Sequence, residues 1–339
     1  MLGLPLTADS RNQQPFPARR GLPAGFLFFM PTSAIPSDQR VSHSAATFCI
    51  VAGSSILFCS KGVFAKLAYA QGGDALTVLA LRMSFSLPFF IAIALAKSRG
   101  ATPLRASDWL RLAGLGFVGY YLSSLVNFTG LQYISVGLER IILYTYPSMI
   151  LAFSAFVLRK SVSRKMWIAC FAAWVGICTA FTGELHSPVS NEKTILGAAL
   201  IFVSALTYGA FILMSGPTIQ RVGAMRFTGF AVGFSCALIL LHYTLTHPVA
   251  ALLHQPPALY GIGLILAIFG TVAPALLQSI GLQRAGSQRF AVISSVGPVT
   301  TIFLAWAVLG EQPNVFQTLG FLLTLGGGLA ISLLKESKA

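Results

Sequence analysis

Charge is what this sequence has least of. Only 9% of its 339 residues are Asp, Glu, Lys or Arg, with Asp and Glu together numbering nine, whereas a water-facing domain carries roughly 25%. With 55% hydrophobic residues and a mean hydropathy of +0.76, a soluble globular domain is excluded. Cysteines are few: Cys49, Cys59, Cys170, Cys178 and Cys236 all fall in apolar segments, with no CxxC or Cys/His spacing. That excludes a disulfide framework and a zinc site and leaves them as small core residues. Neither HExxH nor GxSxG occurs, and His242 is the lone histidine inside an apolar run. A membrane-embedded hydrolase has no constellation to work with. Gly326-Gly327-Gly328 is no phosphate loop, because it sits in an apolar stretch without a following Gly-Lys-Ser; it reads as a close helix contact. No metal or cofactor is expected.

Long apolar runs are abundant. Ten of them, approximately 46–69, 75–96, 110–130, 136–158, 164–184, 195–215, 226–246, 258–281, 288–309 and 315–334, are long enough to cross the bilayer as helices. The expected fold class is all-α integral membrane, ten transmembrane helices as two five-helix halves, 46–185 and 195–335. Residues 1–44, rich in Pro, Gly and Ser, read as a disordered cytoplasmic tail, with Met30 as an alternative start. The net charge of +14 does not point to nucleic acid, because its Lys and Arg lie in short clusters between apolar runs. The tail, the even-numbered loops and the C-terminus hold Lys97, Arg99, Arg105, Arg111, Arg159, Lys160, Arg164, Lys165, Arg221, Arg226, Arg284, Arg289, Lys335 and Lys338 besides four tail arginines. The odd-numbered loops hold only Lys193. By the positive-inside rule both termini are cytoplasmic, in agreement with an even span count. The bilayer is one partner, and a second copy of the chain, as a homodimer, is another candidate.

A repeat organises these runs. Gly130-Leu131-Gln132 recurs as Gly281-Leu282-Gln283, and the same offset of 151 residues superposes Gly119 on Gly270, Leu125 on Leu276, Pro147 on Pro298 and Val157-Leu158 on Val308-Leu309. Five spans separate the copies, so one lies at the outer face and the other at the inner face. Inverted halves of this kind build transport proteins in which two half-bundles rock about a midplane site.

The segments Gly130–Leu158 and Gly281–Glu311, each a small-residue turn followed by an apolar helix with a central proline, resemble the paired repeats of the EamA family in the drug/metabolite transporter superfamily. The resemblance covers residues 46–334. It implies a ten-helix carrier with a central cavity between the halves, exporting or exchanging small metabolites, and Arg82 matches the arginine common in that family's second helix. Two features depart from the pattern. Glu311 stands where the second repeat's acid is expected, but Lys160 occupies the equivalent place in the first, and Cys59–Lys66 lacks the family's Trp-Gly pair.

An ionisable side chain inside a span is costly, on the order of 2.5–3.5 kcal/mol, and faces a cavity or a partner. Lys61, Arg82, Glu139 and Arg140 are the candidates, while Lys66 and Arg140 lie near enough to the outer interface to snorkel. Four cations against Glu139, the one acid inside a span, favour an anionic or zwitterionic solute over a cationic one. If Glu139 pairs with Arg140 or Lys66, no proton carrier remains and exchange or facilitated export follows. Arg140, Tyr144 and Pro147 share one face at helical spacing, and Asn127 maps onto Gln278 by the repeat offset. Tyr120, Tyr121, Tyr208 and Trp306 are candidates for stacking on substrate. Pro147 and Pro298 should open the helix ladder near Leu143 and Ser294, giving each half a kink that serves as a hinge. The expected function is export or exchange of a small polar metabolite, amino-acid-like or otherwise anionic or zwitterionic, across the bacterial inner membrane. A membrane scaffold or sensor is the rival.

Overall fold

The computed structural model describes residues 45–156, 162–186 and 192–333, and everything described is helix, turn or short connection. The N-terminal tail, Lys160, Lys335 and Lys338 lie outside the described residues. In chain order the helices are α1 (Ala45–Ala70), α2 (Ala75–Ser98), α3 (Ala106–Gly116), α4 (Ser123–Leu131), α5 (Val136–Leu143), α6 (Tyr146–Phe156), α7 (Arg164–Leu185), α8 (Thr194–Val222), α9 (Ala224–Thr246), α10 (Val249–Leu253), α11 (Pro257–Ala267), α12 (Ala273–Ile293), α13 (Val296–Leu304) and α14 (Val315–Leu333). Six stretches are each long and apolar enough to cross a bilayer: α1, α2, α7, α8, α9 and Pro257–Gly286. The remaining apolar segments are assembled from shorter pieces. The all-helical architecture follows from the solvent, because backbone groups in hydrocarbon must be satisfied within their own segment.

Local chemistry sets the boundaries. Asp74 caps α2 by accepting from the N–H groups of Leu76 and Thr77, and the Ser135 hydroxyl accepts from Leu138 N–H at the start of α5. Gly286, at φ 71° and ψ 166°, makes the one non-helical step inside α12, a conformation that a side chain would strain.

The repeat is visible in the backbone. A π turn, Phe117–Leu122, joins α3 to α4, and a second, Ile268–Val272, joins α11 to α12. They hold Gly119 and Gly270, the glycines matched by the 151-residue offset. A third π turn, Ala305–Leu309, follows α13. Both proline segments are likewise interrupted: two turn residues precede Tyr146 and two precede Val296, so Pro147 and Pro298 stand in the first turn of a new helix. The single face expected to carry Arg140, Tyr144 and Pro147 is therefore broken. Proline's missing N–H and its ring are tolerated in a first turn and not in an interior.

Helices meet through small residues, since lipid gives no hydrophobic drive for helix association and close packing must supply it. The two Gly-Leu-Gln glycines make equivalent crossings. A Cβ on Gly130 would come within 2.8 Å of the Gly197 carbonyl on α8, and one on Gly281 within 2.8 Å of Val51 on α1. Gly176 and Gly320 bring α7 and α14 together, where a Cβ on Gly320 would lie 2.5 Å from the Gly176 carbonyl. Gly327 meets the Ala169 carbonyl at 2.6 Å and Gly328 the Tyr144 ring at 3.0 Å by the same measure, while Gly326 meets nothing, so the triple-glycine run packs closely through two of its three glycines. Outward-facing positions are apolar, with Phe171 72% and Leu245 76% exposed, as lipid contact requires. Of the cysteines, Cys59, Cys170 and Cys236 are buried, but Cys49 and Cys178 lie on this outer surface instead of the core. In lipid a thiol gains nothing from facing inward.

Candidate functional site

Four ionisable side chains from three helices converge inside the bundle. Arg82, in the middle of α2, is 1% exposed, donates from Nε to Thr271 Oγ1 in the second π turn and lies over the Phe128 ring at 5.1 Å from its centroid. Its Nη1 has no hydrogen-bond partner. Arg140 and Glu139, neighbours on α5, are both buried and form an ion pair with 2.7 Å between Nε and Oε2. Lying side by side, the two groups meet at ion-pair distance without an aligned hydrogen bond. Glu139 Oε1 accepts from Asn127 Nδ2 at 2.8 Å, and Arg140 Nη1 lies 3.7 Å from Cys59 Sγ. Arg140 Nη2 and Asn127 Oδ1 are left without partners.

Glycines admit this cluster. A Cβ on Gly62 would stand 3.5 Å from both Arg140 Nη2 and Glu139 Oε2, so α1 comes close to the pair there. Next to it, Lys61 packs its Cβ against Gly270 in the second π turn, lies within electrostatic range of Arg140, Arg82 and Glu139, and is half-buried where those three are buried. Three cations thus share one carboxylate. A buried charge without a counter-ion is expensive, so the arrangement favours an anion arriving from outside.

Beside the charges stands an aromatic wall. Gln278 donates to the Tyr208 hydroxyl at 2.6 Å and receives a 3.4 Å bond from Tyr120. Tyr146 stacks edge-on to both Tyr144 and Tyr208, with centroids 6.1 and 5.6 Å away. Its hydroxyl also meets Ser294 Oγ at 2.9 Å, so the interrupted segment of one half touches that of the other.

Several expectations are corrected. Arg140 does not snorkel: at 5% exposure it is held inside by Glu139. Trp306 is 52% exposed on the outer surface, and Tyr121 bonds His242 at 3.0 Å, so neither joins the cluster. Glu139 is not the one buried acid within a helix, because Glu184 in the last turn of α7 is fully buried. Thr271, Tyr146 and Glu184 escaped the sequence reading. Thr271 was within reach, since the 151-residue offset applied to Tyr120 lands on it.

Glu184 belongs to a second polar group at one end of the bundle. It accepts from Ser135 N–H at 2.6 Å, Ser135 Oγ at 2.7 Å and Gln317 Nε2 at 2.8 Å. Nearby, Glu311 accepts from the N–H of Val136 at 3.0 Å, and Lys66 is its cationic neighbour. At the opposite end Arg221 bonds Asp108 at 3.0 Å and Arg226 bonds the Thr102 carbonyl at 2.9 Å. Each end is thus tied between the two halves. A pocket of about 300 Å³ lies elsewhere, between α6, α7 and α8, and its lining of Ile150, Phe153, Trp174, Phe202 and Leu206 is apolar. It holds none of the charged side chains, and its Ile150 packs against the Tyr144–Tyr146 pair. Among the described residues no group of three or more His, Cys, Asp or Glu could hold a metal ion.

Both halves of the chain match the EamA-like transporter family, over residues 45–182 and 195–333. The chain belongs to the EamA-like transporter family. An uncharacterized transporter of Bacillus subtilis, YcbK, is 31% identical over 295 residues, covering 84% of this chain and 91% of its own length. An uncharacterized transporter of Synechocystis, sll1319, is 23% identical, with 85% and 93% covered. One solved crystal structure superposes with a TM-score of 0.60 at 16% identity, covering 84% of this chain and 96% of that one, a likeness of fold alone. This member of the family is therefore a multi-pass membrane transporter and not an enzyme.

Proposed function

We propose that the chain is a ten-helix carrier of two inverted five-helix repeats, with both termini on the cytoplasmic side of a bacterial inner membrane. It moves a small polar metabolite, amino-acid-like or otherwise anionic or zwitterionic, by alternating access. The observation that carries this reading is the gathering of Lys61, Arg82 and Arg140 around Glu139, in which the buried Arg82 and Arg140 each leave a donor, Nη1 and Nη2, without a partner. A packing role alone would leave such donors paired. The π turns flanking the trio support it too, since these wide turns concentrate at functional sites. Because Glu139 is held by Arg140 and Asn127, exchange or facilitated export fits better than proton coupling through that acid. The interrupted helices at Pro147 and Pro298 act as the hinges of the two halves, and the polar ties at either end act as gates.

Purified protein in liposomes, assayed in both directions against a broad panel of labelled metabolites, tests the reading. Arg82→Ala is expected to abolish flux of the accepted solute while the protein still elutes as a folded species. Wild-type flux by that variant would assign Arg82 to structure, and no flux of any solute by the parent protein would remove transport as the function.

A further inference from the structure

We infer that the solute is a carboxylate that carries no ammonium group, a hydroxy or oxo acid in preference to the matching amino acid, bound through its oxyanion to Arg82 and Lys61. The inference rests on the carrier reading above and narrows it. An amino acid needs two recognition groups, a cation for its carboxylate and an acceptor of negative charge for its ammonium. The cluster supplies the first in excess. Arg82 Nη1 and Arg140 Nη2 are unpartnered donors, and Lys61 stands half-buried beside the second π turn.

The second requirement is not met. Among the described residues Glu139 is the carboxylate in range of Lys61 and Arg140, and its charge is already balanced by Arg140, 2.7 Å away in an ion pair, while its Oε1 accepts from Asn127 at 2.8 Å. Glu184 and Glu311 are committed to the Ser135–Gly137 backbone at one end of the bundle. An ammonium placed beside the carboxylate would face Lys61, Arg82 and Arg140, and like charges repel strongly in a desolvated site. A neutral hydroxyl meets no such penalty. Two acceptors there have no hydrogen-bond partner, Asn127 Oδ1, which suits a hydroxyl donor, and Glu139 Oε2, whose charge Arg140 already balances. Beyond them the Tyr144, Tyr146 and Tyr208 rings offer an apolar wall for the remainder of the molecule.

Matched pairs test this without any substitution. Proteoliposomes are assayed for counterflow with radiolabelled lactate against alanine and phenyllactate against phenylalanine. Each hydroxy acid is expected to move roughly tenfold or more faster than its amino-acid mate. Lys61→Met should slow the hydroxy acid, and Lys61→Arg should retain more of its rate than Lys61→Met. An amino acid moving as fast as its mate overturns this inference and leaves the carrier reading standing. If none of the four moves in either direction, this inference is overturned, and the carrier reading is then decided by the broad panel described above.

Discussion

Arg82 is held by one side-chain hydrogen bond and one aromatic face, and each comes from a different part of the chain, Thr271 and Phe128. Removing Thr271 Oγ1 leaves a buried guanidinium with a second unsatisfied donor. Thr271→Val, which keeps the side chain's shape, is therefore expected to lower stability by about 1–3 kcal/mol, read as a fall in the thermal midpoint in detergent. An unchanged midpoint would mean that the cation–π contact is sufficient. Asp74 offers a second residue-scale test, in a connection outside the spans. Burial alone would raise its carboxyl, but hydrogen bonds from the Thr77 hydroxyl and from the Thr77 and Leu76 amides outweigh that and hold it below the ordinary range. A depressed carboxyl stabilises the fold above its unfolded value and loses that contribution as pH falls through the folded one. Asp74→Ala should lose about 0.5–2 kcal/mol at neutral pH, and the gap from the parent should shrink as pH drops below about 3.9.

Elements show where the sequence could be read and where it could not. The helical runs were legible because each spanning segment must be continuously apolar, and the 151-residue offset found the glycines of both π turns before any backbone existed. Partnership was legible only in part. Pairing of Glu139 with its chain neighbour Arg140 was one of two options open in the sequence, whereas the burial of Glu184 depends on α14 presenting Gln317 to α7. The latter is a contact between distant segments that periodicity does not record. The α7–α14 contact itself rests on glycine, so Gly320→Leu should drive a side chain into the Gly176 carbonyl and destabilise by about 1–3 kcal/mol or more, measured by thermal unfolding.

The Glu311 contact at the start of α5 makes a further element-scale prediction. Burial pushes this carboxyl up, against the opposing pull of Lys66 and the Gly137 and Val136 amides. A raised carboxyl favours the described conformation when protonated, and that preference is lost as pH rises through the folded value. Acidifying the side that bears Glu311 should therefore hold that end closed. The check is labelling of a cysteine placed at Ser135, which, after correction for the falling thiolate fraction, should still slow as pH falls on that side and lose most of this residual dependence in Glu311→Gln.

At the scale of the whole molecule, the two halves share a turn geometry and a helix break but not their charges. Gly119 and Gly270 occupy equivalent π turns, yet the first half contributes Lys61, Arg82, Glu139 and Arg140 while the second contributes Thr271 and Gln278. In the proposed carrier, symmetry would provide the motion and asymmetry the binding chemistry. The duplication was legible because glycine and proline fix backbone shape directly, whereas the central cluster needed three-dimensional proximity to be seen as one site. The most direct test of this account uses Cys59, which lies 3.7 Å from Arg140 Nη1. With Cys49, Cys170, Cys178 and Cys236 replaced by alanine, a membrane-impermeant thiol reagent is applied to sealed vesicles from one face and then the other. Alternating access predicts that Cys59 is labelled from both faces, with the ratio shifted by the solute gradient. Labelling from neither face, or from one face whatever the gradient, would contradict it.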